Sequence, residues 1–347
     1  MYKLYRLLVI GVCTVILVVA CTRSPNSSIS KPVTSASSES CRLVEHEGGE
    51  TEICGQPKTV VAFSPRALDV MLALDIQPAA YAEAAYTDRK VLDLDRFDNP
   101  SQQIPHLGDR ITTQPINLGH RNTPSLETLV EVKPDLIVAE TWQEKGFLSQ
   151  IAPTLLLNNQ SDKEGWIRRL QIVAQAFGKE AQLQQVIAQY EQKLAQVRTK
   201  LAPVVDTYPN VLPVEDYKGS GFWSGYTSNL AVLLREMGFK LASLDDSPQT
   251  TDNLDADTKI SIEAIAKSEP DIIMVLVTDL ADLANPDPEI NLKWSENPLL
   301  QNIPAVKEGR ILFVDTQLWG GTRDGPIAYN LMLDRLPDLM LPFVEKQ

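Results

Sequence analysis

Arginines and aromatic residues recur at one kind of place in this 347-residue chain, just after short apolar runs that read as buried strands. Arg66 follows Val60-Val61-Ala62-Phe63, and Tyr86 follows a strand expected at Ala79–Ala82. Trp142 follows Asp135–Glu140, Trp223 and Tyr226 lie at the Gly-rich loop Gly219–Gly225, and Trp319 and Arg323 follow Ile311–Asp315. Arg121 stands ahead of a helix in Gly119-His120-Arg121-Asn122-Thr123-Pro124. In open parallel sheets ligands gather beyond the carboxyl ends of the strands. Guanidinium forks there grip oxygens and aromatic faces wall a bulky apolar body, which is the chemistry of non-covalent capture. Any one of these tryptophans taken alone reads as core packing; the recurrence at one edge is what points to binding. Trp166 and Trp294 follow no strand and are assigned to packing.

Signals for bond-breaking chemistry are weak. The histidines are His46, His106 and His120, and no nucleophile elbow, phosphate loop, His-Glu-x-x-His or dinucleotide-binding glycine pattern is present. The acidic runs Asp93-Leu94-Asp95 and Asp252–Asp257 lack the spacing of a calcium loop and read as solvated loops. A free-metal binder would need clustered His, Tyr and carboxylate ligands, and no His-rich loop exists. No catalytic residue, cofactor or metal site is expected.

A near-duplication sets the scaffold for these residues. Ser125-Leu126-Glu127-Thr128-Leu129-Val130, then Lys133-Pro134-Asp135-Leu136-Ile137-Val138, is matched in register by Ser261-Ile262-Glu263-Ala264-Ile265-Ala266, then Glu269-Pro270-Asp271-Ile272-Ile273-Met274. Each copy reads as a Ser-capped helix, a proline stop and an Asp opening a buried strand. One such unit at each end predicts two α/β lobes with a cleft between them. Ser64-Pro65 starts a helix through Leu74, Tyr86–Asn122 reads as a polar loop, and Thr154–Leu157 as a strand. Ser161 and Glu164 suggest a capping box ahead of a helix from Trp166 to Phe177. Leu183, Ile187, Tyr190, Leu194, Val197 and Leu201 then mark one face of a bridging helix from Glu180 to Leu201, stopped by Pro203. Val211–Tyr217 is expected as a strand at an edge or bulge because of Pro213, followed by helices at Asn229–Met237 and Pro326–Met340.

Residues 1–20 carry only Lys3 and Arg6 as charges, and the apolar run Leu7–Ala20 suits a secretory signal rather than a membrane span. Val18-Val19-Ala20-Cys21 resembles the lipobox of bacterial lipoproteins, in which that cysteine is lipid-modified. Residues 21–40, rich in Ser, form a flexible tether. Loss of the signal takes the net charge from −13 to about −15, which argues against nucleic acid. Cys41 and Cys54 flank a strand, Gly-Gly turn and strand, so a hairpin disulfide is the reading taken over a thiolate metal site helped only by His46. The organisation expected is a signal (1–20), tether (21–40), N-terminal lobe (41–165), helical linker (166–203) and C-terminal lobe (204–347).

Taken in order, the lipobox, Val-Val-Ala-Phe-Ser-Pro, Pro-Ser-Leu-Glu with Lys-Pro-Asp-Leu-Ile-Val, Ile-Ala-Pro-Thr, Phe-Gly-Lys-Glu, Ser-Ile-Glu with Pro-Asp-Ile-Ile, and Ile-Pro-Ala-Val-Lys-Glu-Gly-Arg-Ile resemble a family. It is the ferric-siderophore and cobalamin class of substrate-binding proteins serving ABC importers, and the likeness covers about residues 41–340. The resemblance implies two Rossmann-like lobes joined by one long helix, a shallow cleft with little hinge motion, and a ferric siderophore delivered to a permease dimer by a lipid-anchored, extracytoplasmic receptor that is not an enzyme. A siderophore fills its iron's coordination sites, so no metal ligand from the protein is required. By position, Arg121 resembles the arginine that hydroxamate-siderophore binders use on their ligand, and Trp319 their cleft tryptophan. Glu127 and Glu263 occupy the place where such receptors dock on permease arginines, although helix-dipole stabilisation alone would also put acids there. The alternatives are cobalamin or haem as ligand, or a secreted two-lobed metalloenzyme, whose clusters would use cysteines that the chain lacks beyond residue 54.

If acyl chains on Cys21 hold the protein at a membrane, Cys21→Ala should move it from the membrane to the soluble fraction. Membrane retention of the cleaved variant would refute lipid anchoring.

Overall fold

The computed structural model describes residues 40–83, 89–143, 145–217, 221–244, 259–277, 294 and 296–345. The signal segment, the tether with Cys21, and Tyr86 lie outside the described residues. A hairpin of β1 (Cys41–His46) and β2 (Gly49–Cys54) opens the fold, with Cys41 directly opposite Cys54 and the two joined as a disulfide. His46 Nδ1 accepts from the Leu156 N–H and Thr51 Oγ1 donates to the Thr154 carbonyl, so the hairpin seats beside the strand at Thr154–Leu157.

The N-terminal sheet comprises β3 (Val60–Ala62), β4 (Ala80–Glu83), β5 (Ile116–His120), β6 (Leu136–Glu140) and β7 (Thr154–Leu157). Its order is β5-β4-β3-β6-β7 and every neighbouring pair is parallel. β5 lies within the stretch expected to be a polar loop; Asn117 and Gly119 disguise it. Asn117 fills its polar valences locally, donating to the Val91 and Leu94 carbonyls and accepting from the Gly119 N–H.

The C-terminal sheet contains β8 (Asn210–Tyr217), β9 (Gly221–Ser224), β10 (Lys240–Leu241), β11 (Lys259–Ile260), β12 (Ile272–Val277) and β13 (Ile311–Asp315). The order β11-β9-β8-β12-β13 is mixed, because β9 runs antiparallel to both β8 and β11. The expected Gly-rich loop around Trp223 is therefore partly strand. Pro213 sits inside a central strand and not at an edge: β12 covers one side of β8, while on the other β10 pairs as far as Val211 and β9 begins at Val214. The proline's missing N–H falls in the gap between those two partners.

The repeat has a structural meaning in both lobes. Asp135 Oδ2 accepts from the Lys58 and Thr59 N–H groups, and Asp271 Oδ2 from the Asn210 N–H, so each Asp holds the chain entering the central strand of its sheet. Thr59 and Lys58 thereby hold the Asp135 carboxyl below the usual range. Lys133 and Glu269, just ahead of the paired prolines, both take the left-handed backbone conformation that ends each helix.

Strand alternation builds the core. Leu136 and Val138 of β6, with Ile272, Met274 and Leu276 of β12, join one continuous apolar core. Their neighbours Ile137 and Ala139 belong to a separate cluster on the far face of the first sheet, and Ile273, Val275 and Val277 to another on that of the second. The long helix Glu180–Thr207 contributes Leu183, Tyr190, Leu194, Val197, Leu201 and Val204 to the shared core. Its 28 residues span about 42 Å. Pro203 does not stop it: Pro203 faces solvent, as does Thr199, whose carbonyl loses its partner, so water can meet that group. Trp166, Tyr190 and Tyr329 pack together within the core, with ring centroids 5.1–6.4 Å apart. Asp162, not Ser161, caps the helix Lys163–Phe177, accepting from the Gly165 N–H at 2.6 Å.

Across the lobes, Asp69 on the helix Pro65–Ala73 accepts from the Ile327 and Ala328 N–H groups, both at 2.9 Å, and so caps the helix Pro326–Met340. This close approach requires Gly325, where a Cβ would lie 2.3 Å from Asp69 Oδ1. Gly325→Ala should therefore lower stability by about 1–3 kcal/mol through the lost buried hydrogen bonds. Urea unfolding should show a lower midpoint with an unchanged slope, and an unchanged midpoint would mean that Asp69 does not hold this helix.

Candidate ligand-binding site at the strand ends

The carboxyl ends of β3, β4, β5 and β6 are tied into one platform. Gln143 Nε2 donates to the Phe63 and Arg121 carbonyls at 3.0 and 3.2 Å, its Oε1 accepts from the Glu140 N–H, and the Arg121 N–H donates to the Glu83 carbonyl. Above this platform opens a cavity of about 390 Å³. Phe63, Trp142, Phe147 and Leu148 give it apolar walls, Asn122 and Gln143 bring amides, and Arg121 brings a guanidinium. Trp142 and Phe147 are exposed although large and apolar. The Arg121 guanidinium carbon lies 5.7 Å from the centroid of the Trp142 ring, within cation–π range. Arg121 Nε and Nη1 are buried and make no hydrogen bond; Glu140 Oε1 is 3.9 Å from Nη1.

Glu140 organises the charges beneath. Its Oε2 accepts from Arg66 Nη1 at 2.8 Å and from Trp142 Nε1 at 3.0 Å. Burial opposes its ionisation, but Arg66 together with the Ser64 and Trp142 hydrogen bonds outweighs burial and holds the carboxyl below the usual range. Arg66 continues to the other lobe, donating to the Gly321 carbonyl at 2.8 Å and lying 3.5 Å from Asp324. Asp324 in turn meets Arg169 at 3.0 Å; burial there outweighs both arginines and pushes its carboxyl up. A parallel tie joins Arg323 Nη2 to Glu83 Oε1 at 3.0 Å. At the rim, His106 Nε2 lies 2.6 Å from Asp315 Oδ2; burial raises the Asp315 pKa, but the His106 hydrogen bond and charge outweigh it, leaving the carboxyl low.

These positions divide the residues expected to touch ligand. Arg121 and Trp142 share the cavity. Arg66 lies beneath it, engaged between the lobes. Trp223 is half-buried on β9, opposite Glu215 and Lys259. Tyr226 is interior, donating to the Ala242 carbonyl, and so is not presented to a ligand. Trp319 is buried and borders a different cavity with Phe313, Arg335 and Leu339. Arg323 is fully buried and spent on Glu83 and Gln317. Each of the three follows a strand as expected, but the chain turns inward there and places the side chain in the body of the fold. Glu127 and Glu263 are exposed in the first turns of their helices, whose caps Ser125 and Ser261 accept from the Thr128 and Ala264 N–H groups. Trp166 and Trp294 are core residues. Glu140, Glu83, Asp324 and Gln143 were missed from sequence, yet β4 and β6 each end an apolar run on a glutamate, and that acid was the available signal.

Residues 60–318 match the periplasmic binding protein family, and the chain belongs to it. Over 332 residues it is 28% identical to YhfQ of Bacillus subtilis, assigned as an ABC transporter substrate-binding lipoprotein, covering 92% of this chain and 93% of that one. It is 26% identical over 331 residues to the Fe(3+)-citrate-binding protein YfmC of the same organism, covering 91% of each. Among solved structures, SirA of Staphylococcus aureus complexed with staphyloferrin B shares the fold with a TM-score of 0.68 at 23% identity, covering 86% of this chain and 98% of SirA. The fold is thus that of two α/β lobes linked by one long helix. Among the described residues no helix is long and apolar enough to cross a membrane.

Proposed function

We propose that the protein is a non-catalytic receptor that captures a ferric siderophore and delivers it to an ABC importer, held at the cell envelope by lipid on Cys21. One observation carries this: half-buried Arg121 has two buried guanidinium nitrogens without hydrogen bonds, at the wall of a 390 Å³ cavity lined with aromatic residues. Ligand oxygens reaching these N–H groups would satisfy donors whose burial is otherwise costly. The relatives' names support iron as the cargo. A haem reading would call for a His or Tyr axial ligand, and the described lining of the cavity offers neither. A cysteine-held metal cluster would find, among the described residues, only Cys41 and Cys54, which are bonded to each other.

Ferric siderophore should quench tryptophan emission, because Trp142 stands in the cavity wall. Arg121→Ala and Trp142→Ala should each weaken binding by about 1–3 kcal/mol in a fluorescence titration. Wild-type affinity in both variants would mean that the ligand sits elsewhere. Trp319→Ala, by contrast, should act mainly on stability, as removal of a buried aromatic does.

Glu127 and Glu263 project from equivalent helices, one per lobe, and serve in this proposal as the contacts to a two-fold permease. A carboxylate meeting arginine in a partly desolvated interface contributes more than the same group in water. The Glu127→Ala/Glu263→Ala double variant should bind ligand normally yet fail to support iron uptake, with each single change intermediate. Normal import by the double variant would leave these acids a helix-end role only.

A further inference from the structure

The described lining of the cavity, from Phe63 to Leu148, comes from the first lobe, yet the charges beneath it reach into the second. Glu140 is fully buried between two arginines: Arg66 Nη1 donates to Oε2 at 2.8 Å, and Arg121 Nη1 stands 3.9 Å from Oε1. A carboxylate so placed attracts any guanidinium free to approach it. Arg121 leaves that gap open, and its Nε and Nη1 make no hydrogen bond. The contacts of Arg66 explain why. Its Nη2 donates to the Gly321 carbonyl at 2.8 Å and to Ser161 Oγ at 3.3 Å, and its Nε lies 3.5 Å from Asp324 Oδ2. Held from these directions, the planar fork keeps Nη1 on Glu140. Trp142 Nε1 donates to the same oxygen at 3.0 Å, which fixes the carboxylate's orientation.

We infer that Arg66 is a positioning residue for ligand binding: by engaging Glu140 it keeps that carboxylate from taking Arg121, whose N–H groups stay available to ligand oxygens. The inference rests on the receptor reading above and adds to it a residue that acts through Glu140. Two anchors of Arg66, Gly321 and Asp324, belong to the second lobe, so that lobe bears on the cavity through this side chain. Without Arg66, Glu140 would keep its hydrogen bonds from Ser64 and Trp142 but lose its direct counter-charge. A buried carboxylate in that state is costly, and Arg121, 3.9 Å away, is the cation at hand. A ligand would then have to break an ion pair before it could bind, and its affinity would fall accordingly.

The test is a double-variant cycle of Arg66→Met and Glu140→Gln in the full-length protein. It is read by tryptophan quenching with ferrichrome, ferric enterobactin and ferric citrate as probes, and by crystal structures without ligand. Arg66→Met should draw Arg121 Nη1 to about 2.8 Å from Glu140. It should also weaken the probe that the wild type binds best by about tenfold. Adding Glu140→Gln removes the competing charge and should return most of that affinity, although the double variant has lost more buried pairing than the single. A merely structural role would give the opposite result, a second loss on top of the first. Arg66→Gln, equally uncharged but still a donor, takes the place of the methionine variant if urea unfolding shows the latter unfolded. Wild-type affinity in the Arg66 variant, or a loss that Glu140→Gln deepens, would overturn the inference and leave the receptor reading standing. Failure of the wild type to bind any of the three probes would count against that reading, and the Arg121–Glu140 distance in the Arg66 variant would still decide this one: a gap that stays near 3.9 Å overturns it.

Discussion

Ions buried at the junction of the two lobes dictate how the molecule works. Arg169, Arg323, Glu83, Glu140 and Asp324 are fully buried, and Arg66 nearly so. A charge removed from water is tolerated only when its partner stays within reach. Arg66 binds groups in both halves, Asp324 reaches Arg66 and Arg169, Arg323 crosses to Glu83, and Asp69 crosses to the start of the helix Pro326–Met340. Opening the lobes by a wide hinge would strand several of these groups at once, each costing on the order of 3–5 kcal/mol. The shared apolar core and the 28-residue helix through it oppose the same motion. Such a body suits a receptor whose site is largely formed before ligand arrives.

Much of this was legible from the residues. Ser64-Pro65, the helix Asn229–Met237, the strand Ile311–Asp315 and the helix Pro326–Met340 follow local rules of capping and apolar runs, and the structure places them where those rules do. The duplicated Ser-x-Glu and Pro-Asp pattern foretold two lobes because both copies perform the same local task. What stayed hidden depends on distant partners. β5 is a strand because β4 lies beside it, not because Asn117 and Gly119 favour one. Pro203 continues a helix because its face is wet. Trp319 and Arg323 obey the strand-end rule and still turn inward, since tertiary packing, which no spacing reports, decides which way a loop folds back.

The two lobes are alike in origin and unequal in use. Both begin their central strand with the same carboxylate clamp, and both carry acids at strand ends: Glu83, Glu140 and Asp315 are the last residues of β4, β6 and β13, and Asp216 is the last but one of β8. Those of the second lobe are engaged otherwise, Asp216 with Trp294 Nε1 of its own lobe and Asp315 with His106 of the first. In the first lobe Glu140 is shared between Arg66, which it binds directly, and Arg121, which it only approaches. That unequal division leaves Arg121 half-buried and short of hydrogen bonds at the cavity wall. Were Glu140 free to bind Arg121 fully, the fork would be quenched; were Arg66 absent, it would be. Arg66 thus has two sets of contacts: Gly321 and Asp324 tie it to the other half, while its bond to Glu140 keeps that carboxylate from closing on Arg121.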